Sequence, residues 1–367
     1  MALDPDIGSC HDAGIDYKWK GVGWQNRGER QPISELIMYS GVKRNPQDYP
    51  VLRGSDIDRY QLEFGDTYLV HNFEDFKTPE NTIQVYLDLA LVPAKILTRQ
   101  TADQLQAIVD QGQHVTAKSV HTTLVKAKGY SEAYVISLLN SRLLNYIYQV
   151  RTGEVGRTFA QVKLYDLREL PIRRIDFTTP VAERAALVEQ AIARYEDALA
   201  DTHYAVRTTP LLAFTADQPT DVIHDLLAHL AERMIALNRE KQQRIDAFYL
   251  DLEGVTDADT YAKLQKGKQG RTLWRAEACR PYVEEGSYTT HSLEESLGWT
   301  EDAYKVFAKK LAGKVSGFSD LVAAYRDHAP AYAALVQRVA ATDRMIDRIV
   351  YQLYGLTEEE IAIIESD

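Results

Sequence analysis

The stretch that most constrains this chain runs from Gly129 to Ile175, GYSEAYVISLLNSRLLNYIYQVRTGEVGRTFAQVKLYDLRELPIRRI. Ser131 is placed to cap a helix, offering its hydroxyl to first-turn N–H groups that lack an intrahelical partner. Behind it Tyr134, Val135, Leu138, Leu139, Tyr146 and Ile147 recur at helical spacing, so one face of an amphipathic helix must be buried. A loop then carries Arg151, Gly153, Gly156, Arg157 and Lys163 before a Leu170-Pro171-Ile172 exit. Pliant backbone beside positive charge suits contact with phosphates.

Charge has to be read by region. The chain carries −11 overall, yet residues 1–175 hold 21 basic and 21 acidic residues, so the excess acid lies wholly beyond them. Residues 117–174 contain ten basic residues against four acidic ones. A second basic cluster runs from Lys263 to Arg280. Binding of a polyanion follows local potential more than total charge, so the acidic total does not exclude nucleic acid. The alternative for both clusters is solvated surface.

Around Asp176-Phe177-Thr178-Thr179-Pro180 the texture changes. Before it, short apolar or alternating runs predict strands at Thr67–His71, Ala94–Arg99, His114–Ala117 and Thr122–Val125, with turns at Asn45-Pro46, Thr78-Pro79 and Gln111-Gly112. Beyond it, helices are expected over Val181–Ala200 and Asp221–Leu250, the second apolar at first and polar through Asn238–Arg244. Helices resume from Glu301, and Pro330 should interrupt them. Gly355 is placed as a helix stop, and Thr357 with Glu360 as the capping box of a last helix. The expected architecture is an α/β N-terminal domain, a mixed short-stranded sheet with helices, followed by a mainly α-helical C-terminal region. Its divisions are 1–175, a long-helix connector at 176–250, and 251–367. Two cysteines, Cys10 and Cys279, argue against a disulfide framework and suit a reducing cytoplasm. The sequence has neither a signal peptide nor an apolar run long enough for a membrane helix, so no membrane partner is expected.

Four passages, in order, carry a resemblance. These are Pro50-Val51-Leu52-Arg53-Gly54-Ser55-Asp56-Ile57-Asp58-Arg59-Tyr60; Leu139-Asn140-Ser141 with Gly156-Arg157 and Leu170-Pro171-Ile172; His224 to Met234; and Asp343 to Thr357. Together they are similar to the C-terminal specificity region of TaqI-like class I adenine-N6 DNA methyltransferases of type II restriction–modification systems. The resemblance implies a DNA target-recognition module on double-stranded DNA, working with a methyltransferase domain or subunit that holds S-adenosylmethionine. This chain is expected to carry no cofactor and no catalytic site of its own. Lys118, Lys126, Lys128, Arg151, Arg157 and Lys163 are the expected backbone contacts, with Arg53 and Arg59 as further candidates. Gly54, Ile57, Tyr60, Asn140 and Pro171 are expected to be architectural. Tyr60, Tyr130 and Tyr165 are aromatic candidates for contact with sugars or bases.

Other chemistries are weaker. A methyltransferase needs an Asn/Asp-Pro-Pro-aromatic motif to hold a flipped adenine. Asn45-Pro46-Gln47-Asp48-Tyr49 lacks the second proline and the adjacent aromatic. Gly21-Val22-Gly23-Trp24 is too short a glycine signature for a nucleotide loop. Pro5-Asp6 with Asp16-Tyr17-Lys18 imitates a nuclease metal motif, but acid-x-Lys arises readily by chance, as at Asp75-Phe76-Lys77. His224 and His229 stand five residues apart, off one helical face, so no metal site is expected. Two alternatives stay open: a helical docking subunit of such a system, and a decayed fragment without independent DNA binding.

Overall fold

The short alternating runs become strands. The computed structural model describes residues 7–21, 30–153, 156, 160–199, 204–255, 295–312 and 317–366. Its strands are β1 (Gly8–His11), β2 (Asp16–Trp19), β3 (Met38–Ser40), β4 (Tyr49–Leu52), β5 (Ile57–Asp58), β6 (Gln61–Leu62), β7 (Thr67–Leu69), β8 (Asn81–Gln84), β9 (Lys95–Arg99), β10 (Ala107–Asp110), β11 (Val115–Thr116) and β12 (Val120–Val125). Strands β1, β12, β9 and β10 form one antiparallel sheet in that order, with Cys10 opposite Thr123 and His121 opposite Thr98. A second sheet runs β11, β4, β7, β3, with β11 parallel to β4 and the other pairs antiparallel.

The helices are α1 (Ile33–Ile37), α2 (Leu87–Ala90), α3 (Glu132–Leu139), α4 (Arg142–Thr152), α5 (Leu164–Arg168), α6 (Val181–Leu199), α7 (Tyr204–Ala216), α8 (Thr220–Val255), α9 (Glu301–Ala312), α10 (Phe318–Tyr354) and α11 (Glu358–Ser366). The architecture is therefore the expected one: small sheets with helices first, then a mainly helical region. No helix among the described residues is long and apolar enough to cross a membrane.

Two compact units emerge, and they do not follow chain order. Met1–Ile235 and Thr342–Asp367 make one; Ala236–Ala341 make the other. In the first, Ile37, Val51, Leu69 and Val115 are buried around the second sheet, while Leu52, Ile57, Leu97, Ile108 and Val120 form an adjoining cluster. Each such side chain taken from water contributes about 1.5–3 kcal/mol before entropy is set against it. In the second unit Phe248, Leu252, Tyr304, Leu321 and Tyr325 form the core, the Tyr304 and Tyr325 rings stacking at 4.3 Å.

Two local expectations change. Residues 131–152 are not one amphipathic helix. Ser131 caps α3 as expected, its Oγ accepting from the Tyr134 N–H at 3.1 Å, but the helix ends at Leu139. Asn140 turns its amide toward β10, and Ser141 caps a new helix, α4, by accepting from the Leu144 N–H. Residues 133–139 are buried on every side, as suits a helix packed against β9 and β10. Pro330 likewise does not interrupt: α10 runs straight through it. The lost N–H bond and ring clash cost on the order of 3 kcal/mol, and burial of Leu321, Val322, Tyr325 and Ala329 holds the helix on the proline's N-terminal side.

The end of α10 follows its sequence signals. Gly355 is left-handed (φ 70°), and the N–H groups of Gly355 and Leu356 donate to Gln352 and Tyr351 carbonyls. Thr357 and Glu360 then cap α11 reciprocally, at 2.8 and 3.3 Å.

Candidate nucleic-acid interface

A polar latch positions the cationic segment. Within the first unit, Arg59 lies just past β5 and turns inward, its guanidinium donating to both Asp343 carboxylate oxygens (2.7 and 3.3 Å) and to the Asn140 carbonyl (2.6 Å). The Asn140 side chain answers both backbone groups of Ala107, accepting its N–H and donating to its carbonyl at 2.9 Å each. One turn beyond Asp343, Asp347 accepts the Arg142 N–H at 2.9 Å, and its carboxylate sits 3.6 Å from the Arg142 guanidinium. Tyr354 completes the set: its hydroxyl donates to the Pro171 carbonyl (2.5 Å) and accepts the Arg173 N–H (3.1 Å). The last helical turns of α10 thus fasten the start of α4, the helix that leads into the basic loop, and the Leu-Pro-Ile exit that leaves it.

Electrostatics within the latch are uneven. Burial, reinforced by the neighbouring Asp343 charge, pushes the Asp347 carboxyl up to about 7 against the pull of Arg142 and Arg59. Burial opposes charge on Arg59, but Asp343 holds its proton all the more firmly.

The expected phosphate contacts differ in how much of their charge is free. Lys118 is exposed, yet its ammonium is 2.6 Å from Asp16. Arg151, at the end of α4, is paired with Glu169 through both its carboxylate and its backbone carbonyl. Arg59 is spent inside the latch. Lys126 and Lys128 are exposed just after β12, and neither ammonium has an ion-pair or hydrogen-bond partner among the described residues. Arg53 is exposed, and its backbone N–H is held by Asp56 at 2.8 Å. Lys163 is exposed at the start of α5, with its ammonium 5.9 Å from the centre of the Tyr165 ring. Arg157 lies outside the described residues, as does the basic cluster from Lys263 to Arg280. Of the three tyrosines, Tyr60 is fully buried, Tyr130 is half-buried with its hydroxyl accepting the Ile175 N–H, and Tyr165 is 59% exposed.

The architectural expectations have visible causes. A Cβ on Gly54 would come within 2.8 Å of the Ser119 carbonyl. Ile57 is buried in the core, and Tyr60 is held left-handed (φ 55°) with its N–H on the Ala107 carbonyl. Arg168 is a cation that local sequence does not set apart from its neighbours. It is the docking of α5 on β1 that places its guanidinium 2.9 Å from the Cys10 carbonyl.

Residues 49–172 match the family model of the TaqI-like C-terminal specificity domain. No curated protein matches the chain.

Proposed function

We propose that this chain is the DNA target-recognition part of a restriction–modification system. Its cations would neutralise phosphates and fix register on the duplex, while loop side chains read base edges. The chemistry would come from an adenine-N6 methyltransferase, on another domain or a separate subunit, which binds S-adenosylmethionine and flips the target base.

The observation that carries this reading is the specificity-domain match over 49–172, which spans Arg53, Arg59, Lys118, Lys126, Lys128, Arg151, Arg157 and Lys163 together. The latch supports it physically. A recognition loop must be presented in one geometry, and Arg142, Pro171 and Arg173 are each fastened by a residue of α10. A second reading, a docking subunit, draws on the unit Ala236–Ala341, which lies outside the matched residues and is helical where described.

Titration of the purified chain with mixed-sequence duplex across a salt series tests the proposal. Each phosphate contact contributes roughly 0.9 to the slope of log affinity against log salt. Lys126→Ala with Lys128→Ala should therefore lower the slope by about 2. Absence of binding at low salt, both alone and with a cognate methyltransferase added, would reject recognition in favour of docking.

A further inference from the structure

Strand β1 stands at the edge of its sheet, and a group of unlike side chains gathers there. Ser9 Oγ and His11 Nε2 lie 2.8 Å apart in a hydrogen bond, both residues half-buried. Lys126 follows β12 directly, and its backbone N–H on the Ile7 carbonyl (2.8 Å) fixes it beside the start of β1. Arg168 arrives from α5 and spends one N–H on the Cys10 carbonyl, next to His11. Three elements thus converge on one imidazole.

The local charge is not balanced in the way it is elsewhere. Elsewhere in this unit Lys118 is answered by Asp16 and Arg151 by Glu169. Beside His11 the Lys126 ammonium has no partner among the described residues, and neither does His11 Nδ1. The charged groups near enough to act on the ring are Lys126 from the end of β12, Arg168 from α5 and Asp88 from α2. Burial first, then the two cations, lower the proton affinity of His11, with Asp88 acting the other way. Beyond the Ser9–His11 bond and the one N–H given to Cys10, the site offers the His11 Nδ1 position, the Lys126 ammonium and the rest of the Arg168 guanidinium, with Asp88 set against these cations. A tetrahedral oxyanion supplies acceptors and nothing else.

We propose that Ser9, His11, Lys126 and Arg168 form an anion site that takes one phosphodiester group of a nucleic-acid backbone. The nucleic-acid source of that phosphate rests on the recognition reading above; the anion chemistry does not. When the neutral His11 ring accepts the Ser9 hydroxyl at Nε2, it carries its hydrogen at Nδ1 and can donate it to a phosphate oxygen. Protonation of the ring adds a full charge toward the same anion, so the site binds more tightly as pH falls. A bound phosphodiester in turn raises the proton affinity of His11.

The test follows the His11 imidazole by NMR in the full-length, histidine-labelled chain between pH 5 and 8, with the signal assigned by His11→Gln. The titration is run alone, with dimethyl phosphate at tens of millimolar, and with a mixed-sequence duplex. Both probes keep constant charge over this range. The expected result is a His11 midpoint raised by about half a unit or more with either probe. Duplex affinity should fall with rising pH, with that dependence lost in His11→Gln, and should drop about two- to fivefold in Lys126→Ala. No shift with either probe overturns the site. A shift with dimethyl phosphate, together with duplex binding that neither moves His11 nor responds to His11→Gln, overturns the backbone assignment and leaves recognition standing. A shift with dimethyl phosphate and no duplex binding at all overturns the backbone assignment and the recognition reading together, leaving a site for free phosphate. His11→Gln keeps a polar partner for Ser9, and Lys126→Ala alters an exposed side chain, so a loss in either reports on the site itself.

Discussion

Arg59 and Asp343 lie 284 positions apart in the chain and form a two-pronged ion pair, the guanidinium fork meeting both carboxylate oxygens. Their side chains are only 29% and 25% exposed, so each partner would leave an unanswered, largely desolvated charge if the other were removed. Arg59→Ala is expected to cost about 2–3 kcal/mol, less than a fully buried pair would. Arg59→Lys should recover under half of it, because a single ammonium cannot reproduce the fork or reach the Asn140 carbonyl in the same geometry. Urea unfolding of the two variants checks this. Equal stability of both with the unaltered chain would show that the pair is neutral.

Asp347 gives a pH dependence with a definite sign. Its folded value near 7 lies above that of an unfolded aspartate, about 3.9. Between those values the folded chain binds more protons, so this group's contribution falls as pH rises from about 4 to 7. Asp347→Asn, which can still accept the Arg142 N–H, should leave stability at pH 4 nearly unchanged and raise it at pH 8. The gain is on the order of 2 kcal/mol. Melting temperatures at the two pH values would reveal a uniform shift, and so refute this, if burial of the carboxylate were without cost.

Asp48 and Asp110 act in the opposite direction at lower pH. Burial would raise both, but Tyr39 and His71 hold Asp48 down at about 2, and His114 with Lys95 hold Asp110 well below the carboxylate range. Stability from these groups is complete above about pH 4 and is lost as pH falls through their folded values. The Asp110→Asn variant is expected to be less stable than the parent at neutral pH, where Lys95 would keep a buried charge 2.6 Å from an uncharged amide, and the difference should shrink as pH falls. Acid titration followed by circular dichroism distinguishes this narrowing gap from a loss of equal size at every pH.

Asn140 should tolerate no close substitute. Its amide matches the N–H and carbonyl of Ala107 at once, in the way a neighbouring strand would. Aspartate accepts from one and repels the other, and alanine leaves the Ala107 N–H buried and unpaired and its carbonyl with the Tyr60 N–H alone. Each unpaired group costs about 1–3 kcal/mol. Hydrogen exchange at the Ala107 amide should accelerate in Asn140→Ala well beyond the change at Leu97; equal acceleration at both would indicate global rather than local loosening.

Glu169 withholds Arg151 from solution. If residues 142–170 face DNA, Glu169→Ala should strengthen low-salt duplex binding about twofold or more, while Arg151→Ala in the otherwise unaltered chain does little. The reverse ordering in a binding titration would show that Arg151 leaves Glu169 on the complex and carries the contact itself.

Much of the helical framework was legible because its signals are local. Ser131 and Tyr134, Thr357 and Glu360, and Gly355 with Gln352 each lie within four residues of one another, and hydrogen-bond chemistry at that range is fixed by the backbone. The break between α3 and α4 was not legible, since nothing beside Asn140 announces that its amide is required 33 positions away at Ala107. Pro330 misled for a related reason: its cost is local, but the burial that offsets it belongs to the packed core of Ala236–Ala341. The candidate interface was half legible. Composition marked the cationic stretch, whereas which cations are spent depends on acids brought in by folding, such as Asp16 for Lys118 and Asp343 for Arg59. His11 and Ser9 sit in a strand with no charged pattern at all, and α5 and the end of β12 give them their setting.

The latch also sets an order of events during synthesis. Arg59 leaves the ribosome 284 residues ahead of Asp343, an interval of roughly 15–60 s at common elongation rates. From the completion of β12 at Val125 onward, the strands around Ile57 are complete in sequence yet carry an arginine whose counter-ion does not exist. A nascent chain stalled short of residue 343 would therefore hold this region in an unfinished state. Translation speed through the intervening residues becomes, for this fold, a determinant of how long its N-terminal strands wait to be closed.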